Sequence, residues 1–375
     1  MATSDPTRPT TSQAVNVVVT LLRARHGEPV ALEGDPSLPV FIQVLKFAGQ
    51  HGIAAALAQG LRRAATPGMP WAGLQPFLDD LELRNAARNR QFRSSVLALS
   101  RRLAADGINC VFLKGAVFLF AKEGPADWRS LSDLDVLVAP DQIETAAAVL
   151  RTEGYILGMD PSGYQARYHH HYAPLYDPTT GIMVELHGRL MQNPRENAVT
   201  HHEIFRQAQS VVVEGESVRI PCPEHRMIHL IAHAQNSNWG YALRQISFKD
   251  LVDAAELDAL GEMDWAGVRD AFARVAAEDQ LLGFVWAAHM LLGVRLPFPP
   301  AEFGTAKAWA MEAALALDQP AAAWRTFLRM AGQYVRMYAR HPGRLRLVWN
   351  TMAEPARRKS LIRVSTHRLG RPAWR

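Results

Sequence analysis

Two carboxylates stand two positions apart in the stretch Trp128-Arg129-Ser130-Leu131-Ser132-Asp133-Leu134-Asp135-Val136-Leu137-Val138. Side chains alternate across a strand, so Asp133 and Asp135 project from one face while Leu134 and Val136 take the other. Adjacent carboxylates repel and need a counter-charge, most naturally Mg²⁺, which prefers oxygen ligands. A third acid lies in Ile182-Met183-Val184-Glu185-Leu186-His187, where Ile182, Val184 and Leu186 form an apolar face opposite Glu185 and His187. A carboxylate inside an apolar strand is unfavourable without a partner. Three acids on neighbouring strands suit two-metal phosphoryl or nucleotidyl transfer. The plainer alternative is that Asp133 caps a strand end, Asp135 faces water and Glu185 pairs with a nearby arginine.

Other side chains could serve the same chemistry. Arg129 is near enough in sequence to bind phosphate, and its guanidinium suits bidentate oxygen contacts, although a surface ion pair is equally open. Arg244 and Lys249 could reach a nucleotide from the helical region downstream, or pair with Asp250 or Asp253. His187 shares its face with Glu185 and could contact substrate or a metal-bound water, or pack against backbone. His225, His229 and His233 fall at i, i+4 and i+8 of one helix. Along about 12 Å of helix, three such rings cannot converge on one ion, and Arg226 stands where a zinc-binding H-E-x-x-H motif needs glutamate. His169-His170-His171 alternate across a strand and read as surface residues or supports. Two cysteines, Cys110 and Cys222, exclude a disulfide framework and a four-cysteine zinc site.

These groups must be held by a fold of more than one core, since 375 residues exceed an ordinary domain. Ala14–Arg25, Phe41–Leu57 and Leu74–Ala105 carry helical patterns, the last through Phe92, Val96, Leu99 and Leu103 with Gly107 as its stop. Ile108–Leu113 and Leu134–Val138 read as strands. Asp141 and Glu144 resemble a capping pair for a helix that Gly154 closes. Asp177-Pro178-Thr179-Thr180-Gly181 joins two β-type segments as a hairpin turn. From Glu224 onward the pattern is helical. The expected class is α+β, a small mixed sheet embedded between helical segments. The expected divisions are a loose tail at 1–12, an N-terminal helical segment at 13–107, a sheet domain at 108–221 and a C-terminal helical domain at 222–375.

The net charge of +5 is uneven: residues 320–375 carry +12 and the remainder −7. A basic end can meet a polyanion, or be a solvated face. The longest apolar run, Leu281–Val294, is 14 residues, too short to span a bilayer. With a polar start at Met1–Ala14, a cytoplasmic protein is expected.

Phe112-Leu113-Lys114-Gly115-Ala116, Arg129-x-x-Ser132-Asp133-Leu134-Asp135-Val136-Leu137-Val138 and Val184-Glu185-Leu186-His187, in this order, resemble an uncharacterised bacterial nucleotidyltransferase family of the polymerase-β-like superfamily. Arg84-Asn85, Pro223-Glu224-His225 and the stretch from Arg244 to Asp253 extend the resemblance over roughly residues 75–295. It implies a nucleotidyltransferase sheet with Asp133, Asp135 and Glu185 as ligands of two Mg²⁺ ions. It further implies nucleotide contacts from Lys114, Gly115, Arg129 and Ser132, joined by Arg244 and Lys249. The superfamily's glycine–serine signature is half present: Gly115 lets a triphosphate approach the backbone, but Ala116 replaces the hydroxyl. The implied reaction moves a nucleoside monophosphate from ATP or another NTP to an acceptor, which could be a small molecule, a peptide, a protein or an RNA end, and releases pyrophosphate. A non-catalytic nucleotide-binding scaffold and a toxin-like enzyme modifying tRNA are the alternatives.

Overall fold

The computed structural model describes residues 13–28, 37–64, 73, 75–120, 127–158, 171–191, 197–261, 263–317, 328–329 and 332. The polar tail, His169-His170 and nearly all of the basic end lie outside the described residues.

Four helices come first: α1 (Gln13–Arg25), α2 (Leu38–His51), α3 (Ala54–Ala64) and the 31-residue α4 (Gln75–Ala105). The single helix expected over Phe41–Leu57 is two. Gly52 takes the left-handed conformation (φ 62°) and its N–H bonds back to Ala48 and Gly49, which ends α2 as a glycine stop does.

A five-stranded sheet follows, in the order β1 (Cys110–Phe112), β2 (Asp133–Val138), β5 (Met183–His187), β4 (Leu175–Tyr176), β3 (Ile156–Leu157). β2 and β5 run parallel and the other pairs antiparallel. A parallel pair needs a crossover, which here contains α5 (Ile143–Thr152), β3 and β4. α5 starts from Gln142 without a side-chain cap, so Asp141 and Glu144 do not form the expected capping pair. The turn Asp177–Gly181 does join β4 to β5, with Asp177 accepting from Thr179 N and Thr180 Oγ1. Helix α6 (His201–Gln207) opens on a Thr200–Glu203 capping box.

A second ribbon, β6 (Gln209–Val213) with β7 (Glu216–Ile220), turns at Glu214-Gly215, both with positive φ. That is the geometry of a two-residue primed turn.

The C-terminal helices are α7 (Pro223–Ala232), α8 (Gly240–Leu243), α9 (Phe248–Ala259), α10 (Trp265–Arg274), α11 (Glu278–Leu292) and α12 (Gly304–Leu315).

The two sheet faces belong to different cores. Phe112, Leu134, Val136, Val184 and Leu186 pack with Phe92, Val96, Leu99 and Leu103 of α4 and with Ala146, Ala147 and Leu150 of α5. Val111, Leu113 and Leu137 join the helical core instead, which unites α1–α3 with α7 and α9–α12. Arg23 of α1 donates from Nε to Leu291 O (3.1 Å) and from Nη2 to Met290 O (2.8 Å), satisfying carbonyls at the end of α11. N- and C-terminal helices therefore build one core against one face of the sheet. That face carries the acids.

Candidate active site

The β2–β5 register sets Asp135 beside Glu185 and Leu137 beside His187. Leu134 and Val136 are buried in the opposite core, so alternation alone turns Asp133 and Asp135 to the helical side. β1 contributes through its end: Leu113 N donates to Asp135 O at 2.9 Å. Lys114 then turns into the left-handed region (φ 49°) and starts a 3-10 helix that runs to Phe120.

Two groups converge on one carboxylate oxygen. Lys114 Nζ donates to Asp135 Oδ1 at 2.7 Å, and His187 Nε2 lies 2.8 Å from the same atom. His187 is fully buried, and burial pushes its pKa down to about 4 against the opposing pull of Asp135. The ring is therefore neutral near pH 7 and its contact with the carboxylate puts the proton on Nε2. Burial alone would raise the Asp135 pKa, but Lys114 and His187 outweigh it and hold the carboxyl well below the usual range. Among the described residues no hydrogen bond reaches Asp135 Oδ2.

The flanking acids are less well neutralised. Burial raises the Asp133 pKa and Asp135 adds to it, offset in part by Lys114, by Ser132 Oγ at 2.9 Å and by Lys249. Burial likewise raises the Glu185 pKa; His171 and Lys114 oppose the rise while Asp135 and Asp133 reinforce it. One donor atom each from Asp135, Glu185 and His187 lie within 4.8 Å of one another. The sequence pointed to Asp133 as the third member. Asp133 shares the face but stands one pleat further toward the strand's start, and His187 folds back into its place. The cluster fits a divalent cation: Asp135 and Glu185 could supply oxygens, with Asp133 one pleat away on the same face and His187 hydrogen-bonded to Asp135.

The expected nucleotide contacts divide. Gly115 is buried beside Arg129: a side chain there would start 3.4 Å from the guanidinium and from Leu131. Arg129 is committed inside the protein, with Nε donating to Asp253 Oδ1 at 2.6 Å and Nη1 to Ser130 O. Its carbonyl accepts from Asn85 and Asn89 of α4 at 3.1 and 2.9 Å. Lys249, in the first turn of α9, has no ion-pair partner among the described residues. The Arg129 charge and burial lower its pKa, while Asp250, Asp253 and Asp133 oppose them. Arg244 pairs with Glu312 at 2.9 Å and sits over Tyr241, which stacks on Trp309. Among the described residues none of its contacts joins it to the carboxylates.

One participant was not singled out by sequence. His229 of α7 is buried with Nε2 unbonded among the described residues. Burial pushes its pKa down to about 3, with Lys114 and His187 lowering it further and Asp135 opposing. His171 of the histidine run pairs with His187, ring centroids 5.4 Å apart.

No curated protein matches the chain. Among solved structures, an antigenic nucleotidyltransferase-like protein from Paracoccidioides brasiliensis is similar over 55% of this chain and 93% of that one. The identity is 16% and the TM-score 0.33. Residues 42–293, two thirds of the sequence, match the family described as uncharacterised nucleotidyltransferase. The region includes the carboxylate strands, the Lys114 turn and helices α7 and α9, and on that match the chain belongs to the uncharacterised nucleotidyltransferase family.

Proposed function

We propose that the protein is a Mg²⁺-dependent nucleotidyltransferase that moves a nucleoside monophosphate from an NTP, ATP in the first instance, to an acceptor hydroxyl or amine. The observation that carries this reading is the parallel pairing of Asp135 with Glu185, on the face that also bears Asp133. Asp133, Asp135 and Glu185 would hold two ions, which when bound offset charge on the entering and leaving oxygens at the α-phosphorus. His187 fixes the rotation of Asp135 by donating to Oδ1, which leaves Oδ2 for a ligand. Lys249, without an ion-pair partner among the described residues, offers a cation to the triphosphate. Glu185 is placed to take the acceptor's proton as the new O–P or N–P bond forms and the bond to pyrophosphate breaks.

One observation favours a non-catalytic nucleotide-binding protein instead: Lys114 already neutralises Asp135. Incubation of the purified chain with each labelled NTP and a cell extract separates the two. Transfer of label to one acceptor class, lost in Asp135→Asn, is the expected result. Nucleotide binding that is independent of metal, with no label transferred, would favour the scaffold. The acceptor class, whether small molecule, peptide, protein or RNA, is read from the labelled product.

A further inference from the structure

Lys114 is a non-glycine residue in the left-handed region at the heart of the site. Such a conformation persists where the surroundings hold it, and here the 2.7 Å bond to Asp135 and the following 3-10 turn do so. The ammonium therefore stands on the carboxylate that the proposed function assigns to a metal. A divalent ion bound to Asp135 between Asp133 and Glu185 would lie within a few ångströms of a like charge in a poorly screened pocket. The two cations compete for one carboxylate.

Resting on that functional reading, we infer that Lys114 is the counter-ion of the substrate-free site, and that it exchanges Asp135 for the triphosphate when metal and nucleotide arrive together. Two features support the exchange. The Lys114 side chain is 24% exposed whereas that of Asp135 is 4% exposed, so the lysine is the partner of this pair with access to the surface. Lys249 acts on Asp133 through space and has no ion-pair partner among the described residues, so a second cation is at hand for a triphosphate bound at the cluster. Metal alone gains little, because it must displace the lysine into water. Metal with nucleotide gains more, because the displaced ammonium acquires phosphate oxygens.

The test titrates Mn²⁺ into the full chain and follows bound metal by electron paramagnetic resonance, with and without a non-hydrolysable NTP analogue and with correction for metal held by free analogue. Wild type, Lys114→Met and Asp135→Asn are compared. The expected result is that Lys114→Met binds Mn²⁺ alone at least about tenfold more tightly than wild type. The analogue should raise Mn²⁺ affinity in wild type, and Lys114→Met should bind the analogue at least about tenfold more weakly. Equal Mn²⁺ affinity of wild type and Lys114→Met without nucleotide overturns the exchange and leaves the metal assignment standing. Mn²⁺ binding by Asp135→Asn as tight as by Lys114→Met, or none by any form with the analogue, overturns the metal assignment and the exchange with it. Lys114→Asn, whose side chain tolerates left-handed backbone, replaces the methionine variant if that one melts early.

Discussion

Arg129 and Asp253, 124 positions apart in sequence, meet in a 2.6 Å ion pair with both side chains almost completely buried. The pair fastens the segment before β2 to α9, the helix that carries Lys249. From the other side Asn85 and Asn89 of α4 hold the Arg129 carbonyl. One arginine thus ties the segment leading into the acid-bearing strand to the helix that carries Lys249.

Breaking this pair from one side should be costly. Arg129→Met leaves Asp253 buried and uncompensated, and about 3–5 kcal/mol of stability should be lost. Burial raises the Asp253 pKa despite Arg129 beside it, so the attraction does not fully offset desolvation. The double variant Arg129→Met/Asp253→Leu should therefore recover most of the loss. Urea denaturation of the single and double variants checks this; additive losses would show that the pair does not act as a unit.

A second site of high cost is the crossing of α1 and α3. A side chain on Gly60 would begin 2.0 Å from Leu21 O, a backbone atom that cannot rotate away. Gly60→Ala gains helix propensity of about 1 kcal/mol, but it must push the two helices apart, and overpacking of this kind costs about 1–3 kcal/mol. A net fall in melting temperature is expected, larger for Gly60→Val. An unchanged melting temperature in Gly60→Ala would mean that the crossing is loose in solution.

How far the site could be read from sequence follows the range of the forces involved. That Asp133 and Asp135 share a face is a property of the extended chain, and so is the apolar side made by Ile182, Val184 and Leu186. The opposition of Asp135 to Glu185 needed the parallel register, which no local pattern specifies. The return of His187 to Asp135, the Lys114 bond and the Arg129–Asp253 pair join segments 21 to 124 positions apart and depend on tertiary packing. Local misreadings also have physical causes. The helical periodicity runs on through Gly52, and only its left-handed backbone separates α2 from α3. The β6–β7 ribbon was overlooked although Val211 and Val213 alternate toward Glu214-Gly215, because its charged turn lacks the usual asparagine.

On the proposed function His187 acts through Asp135, to which its Nε2 is hydrogen-bonded, as a positioning residue. His187→Phe keeps a planar ring in the pocket but removes the donor to Asp135 Oδ1. Loss of a partner that orients a metal ligand typically costs about 10–100-fold in metal affinity or activity. The expectation is a fall of that size in Mn²⁺ affinity and in kcat, with the KM for NTP nearly unchanged at saturating metal. His187→Gln, which can still donate, should restore part of both. Equal loss in the two variants together with a lowered melting temperature would assign His187 to packing alone.

The last prediction concerns acid. His26 and His187 have pKa values pushed down to about 4, and His51 and His229 to about 3, chiefly by burial. In the unfolded chain each would titrate near 6.5. Between about pH 6.5 and 4 the unfolded chain therefore binds protons that the folded one refuses, so stability falls as pH drops through this window. Each histidine contributes at most about 1.4 kcal/mol per pH unit. Asp133, Glu185 and Asp253 act in the opposite sense, because their raised pKa values let the folded chain take protons first. Asp135, held low, adds to the acid loss only below the ordinary carboxylate pKa. The histidines outnumber these three carboxylates, His201 and His225 being shifted down as well, and a net loss toward acid is expected. His51 is the cleanest probe, since it lies in the helical core, accepting from Phe248 N and stacked on Phe47, away from the carboxylate cluster. His51→Gln keeps an acceptor without titrating, and should lower stability at pH 8 yet flatten the fall toward pH 5 by about one proton. Parallel stability curves for wild type and His51→Gln across that window would show that the imidazole is protonated at the same pH in the folded and unfolded chain.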